Sequence, residues 1–344
     1  MTTESMIDLR SDTVTRPSRA MREAMANADV GDDVLDRVPT TRRLEEQTAA
    51  LLGKERALFF PSGSMANQAA IWLHTSPGTE ILVDANSHIL LGEMAGAAGL
   101  AGVQMRAVST MSPAYTADDL RAFIRPVTID DPERSLVCVE NTHNGAGGVV
   151  IPIDELRAIQ DVAREHGLPV HLDGARLWNA SVASGSTLQE FASTADTVMV
   201  SYSKGLGAPV GAALAGTTKQ MERAHRIRKR LGGGMRQSGI IAAGALYGLE
   251  NNLARLTDDH AAAREFASIV DGAGGARVVR PDTNIVMIDL PGAHADDVVE
   301  RLAKRGVFVL AWTTTRVRAV THLDASIESV RRAAGVMREV LASF

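Results

Sequence analysis

At 344 residues and 45% hydrophobic composition, the chain can bury a large core, and its length suits one large or two moderate domains. A charged fraction of 22% and a formal net charge of -5 leave no basic surplus for steering onto phosphate backbones, so nucleic acid is not an expected partner. One cysteine, Cys138 in the apolar run Ser135-Leu-Val-Cys-Val139, excludes an intramolecular disulfide framework and reads as a buried thiol in a reducing compartment. Met1-Thr-Thr-Glu-Ser-Met6 lacks a basic then apolar leader, and no later run is apolar over the ~18 residues of a membrane span, so the expectation is a cytoplasmic protein without a membrane partner.

In chain order, Ala57-Leu-Phe-Phe60 predicts a strand ahead of a helix over 64–74, and Ile81-Leu-Val83 a strand ahead of a Gly/Ala-rich stretch. Strands follow at 136–140, 169–173 and 197–201, with helices at 153–166 and 217–230; Glu155, Arg157, Asp161 and Arg164 supply the polar positions of the first. This alternation predicts an α/β sheet covered by helices. After Gly244 the character shifts: 245 to about 270 reads as one long helix, broken by Gly272-Ala-Gly-Gly275. A smaller unit then offers strands at 284–290, 306–310 and 317–321, with helices at 296–305 and 327–341. The chain shows neither an internal repeat nor a low-complexity linker, so the units are expected to pack closely.

The strongest local feature is Ser201-Tyr-Ser-Lys204-Gly-Leu-Gly-Ala-Pro-Val-Gly211, a lysine at the end of an apolar strand with glycines directly behind it. A lysine amine becomes nucleophilic when burial or a nearby positive charge lowers its pKa, and glycines let a cofactor approach closely. Alone, the motif reads as a solvated lysine beside a glycine turn. Upstream, His171-Leu-Asp173-Gly-Ala-Arg176 ends a strand in a carboxylate; an aldehyde cofactor such as pyridoxal phosphate (PLP) needs one to keep its ring nitrogen protonated, and the plain alternative is a helix-capping aspartate. In Phe60-Pro-Ser62-Gly-Ser-Met-Ala-Asn67 a small, hydroxyl-rich turn opens a helix, so Ser62, Gly63 and Ser64 offer either a phosphate site or ordinary capping.

A second glycine cluster, Gly232-Gly-Gly-Met-Arg236-Gln-Ser-Gly239, places Arg236 as a phosphate candidate, while Arg223, Arg226, Arg228, Lys229 and Arg230 before it read as a solvated or interface face. His143, in Asn141-Thr-His143-Asn144-Gly145, sits at a strand end, and His88 follows Ala85-Asn-Ser87. A flat imidazole can stack on a ring, and a neutral one can accept a proton or orient water, although either histidine alone is more often structural.

Taken together and in order, these segments resemble the low-specificity L-threonine aldolases, from Ile7-Asp-Leu-Arg-Ser-Asp-Thr-Val-Thr-Arg16 to Val320-Thr-His-Leu-Asp324. Ser203-Lys-Gly-Leu-Gly-Ala-Pro-Val-Gly211, Leu172-Asp-Gly-Ala-Arg176, Glu140-Asn-Thr-His-Asn-Gly145 and the cluster around Arg236 carry the likeness. It implies an α/β PLP-dependent transferase of fold type I, with an N-terminal arm and a large, mixed, mostly parallel sheet domain over 1–247 and a smaller α+β domain over 248–344. It also implies that Lys204 carries the cofactor as a Schiff base, Asp173 pairs the ring nitrogen beside Arg176, and His88 stacks on the ring. Ser62, Gly63 and Ser64 would hold the phosphate, with Arg236 reaching over from a neighbouring subunit of a homotetramer. Ser11, Arg176 and Arg318 would meet the substrate carboxylate, and His88 and His143 would manage the β-hydroxyl or a water. The implied reaction cleaves threonine, allo-threonine or a related β-hydroxy amino acid to glycine and an aldehyde.

The chain departs from the family at Leu35, where a tyrosine is common, at Arg37 and Val38, and in Ile89-Leu-Leu-Gly92, which lacks the usual aromatics. A β-eliminating lyase on the same scaffold is the alternative, separable by its products. A dinucleotide reading meets Gly205-Leu-Gly207-Ala-Pro-Val-Gly211, one residue off the fingerprint and containing proline. A metal reading on His88, His143 and His171 lacks close ligand spacing, so no metal is expected, and a non-catalytic scaffold is opposed by Lys204, Asp173 and the histidines standing together.

Overall fold

The computed structural model describes residues 6–35, 37–124, 126 and 128–344; the reading of the first five residues as leaderless lies outside it. The chain opens with a short strand, β1 (Ile7–Asp8), and then builds its main sheet from β2 (Arg56–Phe60), β3 (Glu80–Asp84), β4 (Gln104–Val108), β5 (Arg134–Glu140), β6 (Val170–Gly174), β7 (Thr197–Ser201) and β8 (Ala212–Gly216). The sheet order is β2-β8-β7-β6-β5-β3-β4. Five neighbours from β7 to β4 pair in parallel, while β8 runs antiparallel to both β7 and β2. Helices cover both faces, which is why β3, β6, β7 and β8 are buried at every residue and their apolar side chains do not alternate with exposed polar ones.

The second unit contains β9 (Arg277–Val279), β10 (Ile285–Asp289), β11 (Val307–Phe308), β12 (Leu310–Thr313) and β13 (Arg316–Val320). Four of these form an antiparallel sheet in the order β12-β13-β10-β9. β11 leaves it to pair in parallel with β1, so Ile7 and Leu9 enter the same core as Phe266, Val286 and Met337. The α/β class with a large, mixed, mostly parallel sheet is as expected.

Two expected elements are corrected. The helix read over 245–270 is two helices, Gly239–Asn251 and Leu256–Val270. Asn252 ends the first: its backbone N–H bonds the Gly248 carbonyl, and its side-chain amide donates to Leu206 O at 2.9 Å instead of continuing the helix. The strand read over 306–310 is divided, because the chain changes partner from β1 to β13 across Val309. β8 escaped the sequence reading because Ala212-Ala-Leu-Ala-Gly216 is poor in β-formers; buried between β2 and β7, it is held by its neighbours. Among the described residues, no helix is long and apolar enough to cross a membrane.

β2 runs in the same sense as the parallel strands, so the carboxyl ends of β2, β3, β5, β6 and β7 meet along one edge. Asp84, Glu140, Asp173 and Ser201 lie at or next to those ends. Open α/β sheets gather ligands there because loops and helix N-termini converge on that edge.

Candidate active site

Lys204 stands in the loop between β7 and β8. Tyr202 N–H donates to Gly211 O at 3.0 Å, and Gly207 N–H to Lys204 O at 2.8 Å, which closes the loop tightly. Gly211 has φ +116°, and a Cβ there would fall 2.5 Å from the Phe59 ring, so only glycine fits. Lys204 is half-buried, and among the described residues no hydrogen bond or ion pair holds its ammonium. Burial and the Arg176 guanidinium lower its pKa, against the pull of Asp12, Asp173 and Glu140. A free, depressed amine is the form that can attack an aldehyde.

Asp173 is 1% exposed at the end of β6. Its Oδ1 accepts from Ala175 N–H at 3.0 Å and its Oδ2 from the Asn67 amide at 2.9 Å. The helix Gly63–His74 carries Asn67 to it, starting at the Ser62 cap, whose hydroxyl oxygen accepts from Met65 N–H at 3.2 Å. Gly63 and Ser64 form the first turn. The glycine cluster packs on this turn, since a Cβ on Gly233 would clash with Met65 Sδ. Arg236 is exposed and bonds Asp32 at 3.2 Å in the same chain, outside the hydrogen-bond network that joins the other candidates. Leu35, 76% exposed, lies in the turn beside Asp32, and its N–H bonds the Asp32 carboxylate at 3.2 Å.

His88 opens the short helix His88–Leu91, its backbone N–H donating to Glu140 Oε2 at 2.6 Å. The other oxygen of Glu140 accepts from Asn144 N–H at 2.8 Å, so one carboxylate ties together the loops bearing His88 and His143. The His88 ring lies over Gly92, where a Cβ would come within 2.8 Å of Nε2. Its Nδ1 is 3.3 Å from Glu93, whose hydrogen bond raises the imidazole pKa against burial. Ligand atoms of His88, Glu93 and Asp173 lie within 4.8 Å of one another, a grouping that the histidine-only metal reading did not contain. His171 enters from the other side of Asn67, its Nε2 lying 3.1 Å from that residue's Oδ1.

His143 is 1% exposed. Ala146 N–H donates to its Nδ1 at 3.2 Å, so the neutral ring carries its hydrogen on Nε2, 3.3 Å from Asp84. Burial opposes the charged ring, but Asp84 and Glu140 outweigh it and raise the pKa.

Arg176 is clasped by Asp12, with Nε to Oδ2 at 2.8 Å and Nη2 to Oδ1 at 2.7 Å. Asn284 donates a third hydrogen bond to Asp12 at 3.2 Å. Although burial alone would raise it, the Arg176 and Lys204 charges hold the Asp12 carboxyl well below the usual aspartate range. Arg318 on β13 donates to Asn144 Oδ1 at 3.0 Å and to Arg10 O at 3.1 Å, and stacks over Trp312 at 4.7 Å. Its Nε is buried with no hydrogen-bond partner among the described residues, and burial together with Arg176 lowers its pKa to about 10. Ser11 stays local, its hydroxyl oxygen accepting from Thr13 N–H at 3.2 Å.

The structure therefore joins Lys204, Asp173, Arg176, His88, His143 and Arg318 through short contacts or mutual electrostatic influence, with the Ser62–Ser64 turn leading into the helix that holds Asp173. Asp12, Asn67, Glu93 and Asn144 belong to the same network and were not picked out from the sequence, although Asp12, Asn67 and Asn144 lie inside motifs that were.

Residues 8–293 match a family model described as beta-eliminating lyase. The chain is 43% identical over 338 residues to the low specificity L-threonine aldolase of Escherichia coli O157:H7, covering 98% of this chain and 100% of that one. It is 40% identical over 337 residues to low-specificity L-threonine aldolase 1 of Arabidopsis thaliana, covering 94% and 93%. Among solved structures, the threonine aldolase of Leishmania major superposes with a TM-score of 0.83 at 19% identity, over 97% of this chain and 99% of that one. That likeness establishes the fold as the PLP-dependent fold type I. With agreement running from end to end, the chain belongs to the beta-eliminating lyase family, among its low-specificity L-threonine aldolases.

Proposed function

We propose that the chain cleaves L-threonine, L-allo-threonine and related β-hydroxy-α-amino acids to glycine and an aldehyde, using PLP. The observation that carries this reading is the uncommitted Lys204 amine facing a buried carboxylate, Asp173, across one sheet edge. The residues fit the cofactor: Asp173 keeps lone pairs free beyond its two protein donors, and a small-residue helix start, Gly63-Ser64, offers open N–H groups for a phosphate. When bound, PLP supplies an aldehyde for the amine and a protonated ring that withdraws electrons from the substrate α carbon.

The protein's own groups then divide the work. Arg318, whose Nε has no partner among the described residues, anchors the substrate carboxylate with Ser11, while Arg176, held by Asp12 and donating Nη1 to Asn144 Oδ1 at 3.3 Å, stands beside it. His88 is the more open imidazole, with a side chain 39% exposed, and its Nδ1 is engaged by Glu93. Its Nε2 takes the β-hydroxyl proton as the Cα–Cβ bond breaks; Cβ leaves as the aldehyde carbon and Cα regains a proton to give glycine. His143, fixed by Asp84, orders the hydroxyl or a water. Ser62, Gly63 and Ser64 hold the phosphate, with Arg236 of a neighbouring subunit completing it.

That last role presupposes a homotetramer of paired dimers, supported by the exposed apolar side chains Leu91 and Met94 beside the His88 helix. The division into 1–247 and 248–344 draws support from separate hydrophobic clusters, although Leu249 and Leu256 join the larger one and β1 reaches into the smaller. A cytoplasmic setting accords with the single buried cysteine. The test is to record the visible absorption of protein supplied with PLP, before and after borohydride, and to assay threonine and its allo isomer. A borohydride-sensitive band that Lys204→Ala abolishes, with release of glycine and acetaldehyde, supports the reading. Keto acid and ammonia would favour β-elimination, and absence of a band would overturn the cofactor assignment.

A further inference from the structure

We propose that Asn67 is a positioning residue that couples the two working halves of the site, holding Asp173 directly and His88 through Glu93, with His171 locking its amide from behind. The inference rests on the PLP reading above.

The hydrogens available to each group fix the arrangement. The Asn67 side-chain nitrogen lies 2.9 Å from Asp173 Oδ2 and 2.9 Å from Glu93 Oε1, so both of its hydrogens are spent on carboxylates. Turning the amide over would aim its oxygen at two carboxylates and its nitrogen at an imidazole, so the orientation is forced. Asn67 Oδ1 can then only accept, and His171 Nε2, 3.1 Å away, must carry a hydrogen. His171 is fully buried, with a pKa lowered to about 4, so it is neutral and its Nδ1 is bare. That nitrogen takes the Thr197 hydroxyl hydrogen at 3.0 Å, and the Thr197 oxygen in turn accepts from His74 Nε2 at 3.0 Å. Every hydrogen in the chain His74–Thr197–His171–Asn67 points towards the two carboxylates.

The placement follows from the fold. His171 and Asp173 are two residues apart on β6, so they share the face on which the helix Gly63–His74 packs, and Asn67 meets both. Glu93 is buried, and its other oxygen accepts from Gln68 at 2.7 Å. Two buried carboxylates this close repel unless donors stand between them, and Asn67 is the donor they share. Losing it strengthens the hold of Glu93 on the His88 proton and leaves Asp173 with one protein donor. The charged groups facing His88 are Glu93, Asp173 and Lys204, with Glu140 on its backbone N–H.

The experiment uses holoenzyme labelled with 15N-histidine, together with PLP titrations of Asn67→Ala, His171→Leu and His171→Gln, the last keeping a donor near the Nε2 position. His171 is expected as the non-titrating Nε2–H tautomer around neutral pH. Asn67→Ala and His171→Leu are expected to raise the PLP dissociation constant about tenfold and to move the His88 titration upward by about half a pH unit. His171→Gln should stay within about twofold of the unaltered protein. A folded Asn67→Ala with unchanged PLP affinity and unmoved His88 overturns the coupling. Should that variant fail to fold, the unaltered protein still decides, because an Nδ1–H tautomer of His171 would overturn the chain. If the unaltered protein takes up no PLP, the proposed function fails separately, and the tautomer result stands or falls on its own.

Discussion

Asp12 and Arg176 meet through two parallel hydrogen bonds in a buried setting, and removing one partner leaves the other charge uncompensated. Asp12→Ala is expected to lower stability by about 3–5 kcal/mol, read from denaturant unfolding. Asp12→Asn makes the charge dependence visible. The folded Asp12 pKa is depressed, so its stabilisation is complete above the ordinary aspartate range and is lost as pH falls through the folded value. The gap between the unaltered protein and Asp12→Asn should accordingly shrink as the medium is acidified; a gap independent of pH would contradict the ion-pair account. Lys204 and Asp173 were legible because each sits at a strand end followed by glycine. Asn67 and Glu93 were not, because their meaning depends on partners 106 residues away for Asn67 and Asp173 and 26 for Asn67 and Glu93.

At the scale of elements, the loop 202–211 and the helix Gly63–His74 are the two devices that aim chemistry at the sheet edge. Gly211→Ala forces a positive φ and a clash with Phe59, so it should destabilise the protein by about 1–3 kcal/mol and loosen Lys204. Thermal unfolding together with the rate of borohydride trapping of bound PLP checks both parts. Ser62→Ala removes a cap at an exposed position and should cost about 1 kcal/mol. If the turn also holds phosphate, PLP affinity falls with it; unaltered affinity would reduce Ser62 to a cap. The strands and helices that carry the motifs were readable from apolar runs and periodicity, whereas the helices Arg19–Ala26 and Pro39–Leu52 and the strand β4 were not read. The break at Asn252 was also missed, because the carbonyl that competes for its side chain belongs to Leu206, 46 residues earlier.

Across the whole molecule, stability should depend on pH through buried imidazoles. His74, His171 and His260 have pKa values lowered to about 4, chiefly by burial. A depressed histidine contributes stability that is fully present above the unfolded pKa near 6.5 and is lost as pH falls towards 4. Glu45 and Asp259, raised to about 7 and about 6 by burial, act in the opposite sense, so the net slope mixes both. A single variant separates them. Relative to the unaltered protein, His260→Asn should recover up to about 3 kcal/mol between pH 7 and pH 4, measured as urea midpoints; parallel midpoints would show that His260 does not titrate as described.

The sequence by itself determined the α/β class and the family and picked out Lys204 and Asp173 as candidates, because each rests on local signals: apolar runs of strand length, glycines behind a strand end, and several motifs in order. Only the tertiary structure decided that Arg176 is clasped by Asp12, that His143 turns into Asp84 while His88 stays open, and that one amide serves both Asp173 and Glu93. Those outcomes depend on which donors and acceptors the packed strands bring within hydrogen-bond reach, and hydrogen-bond reach is a property of the folded edge that no stretch of chain contains.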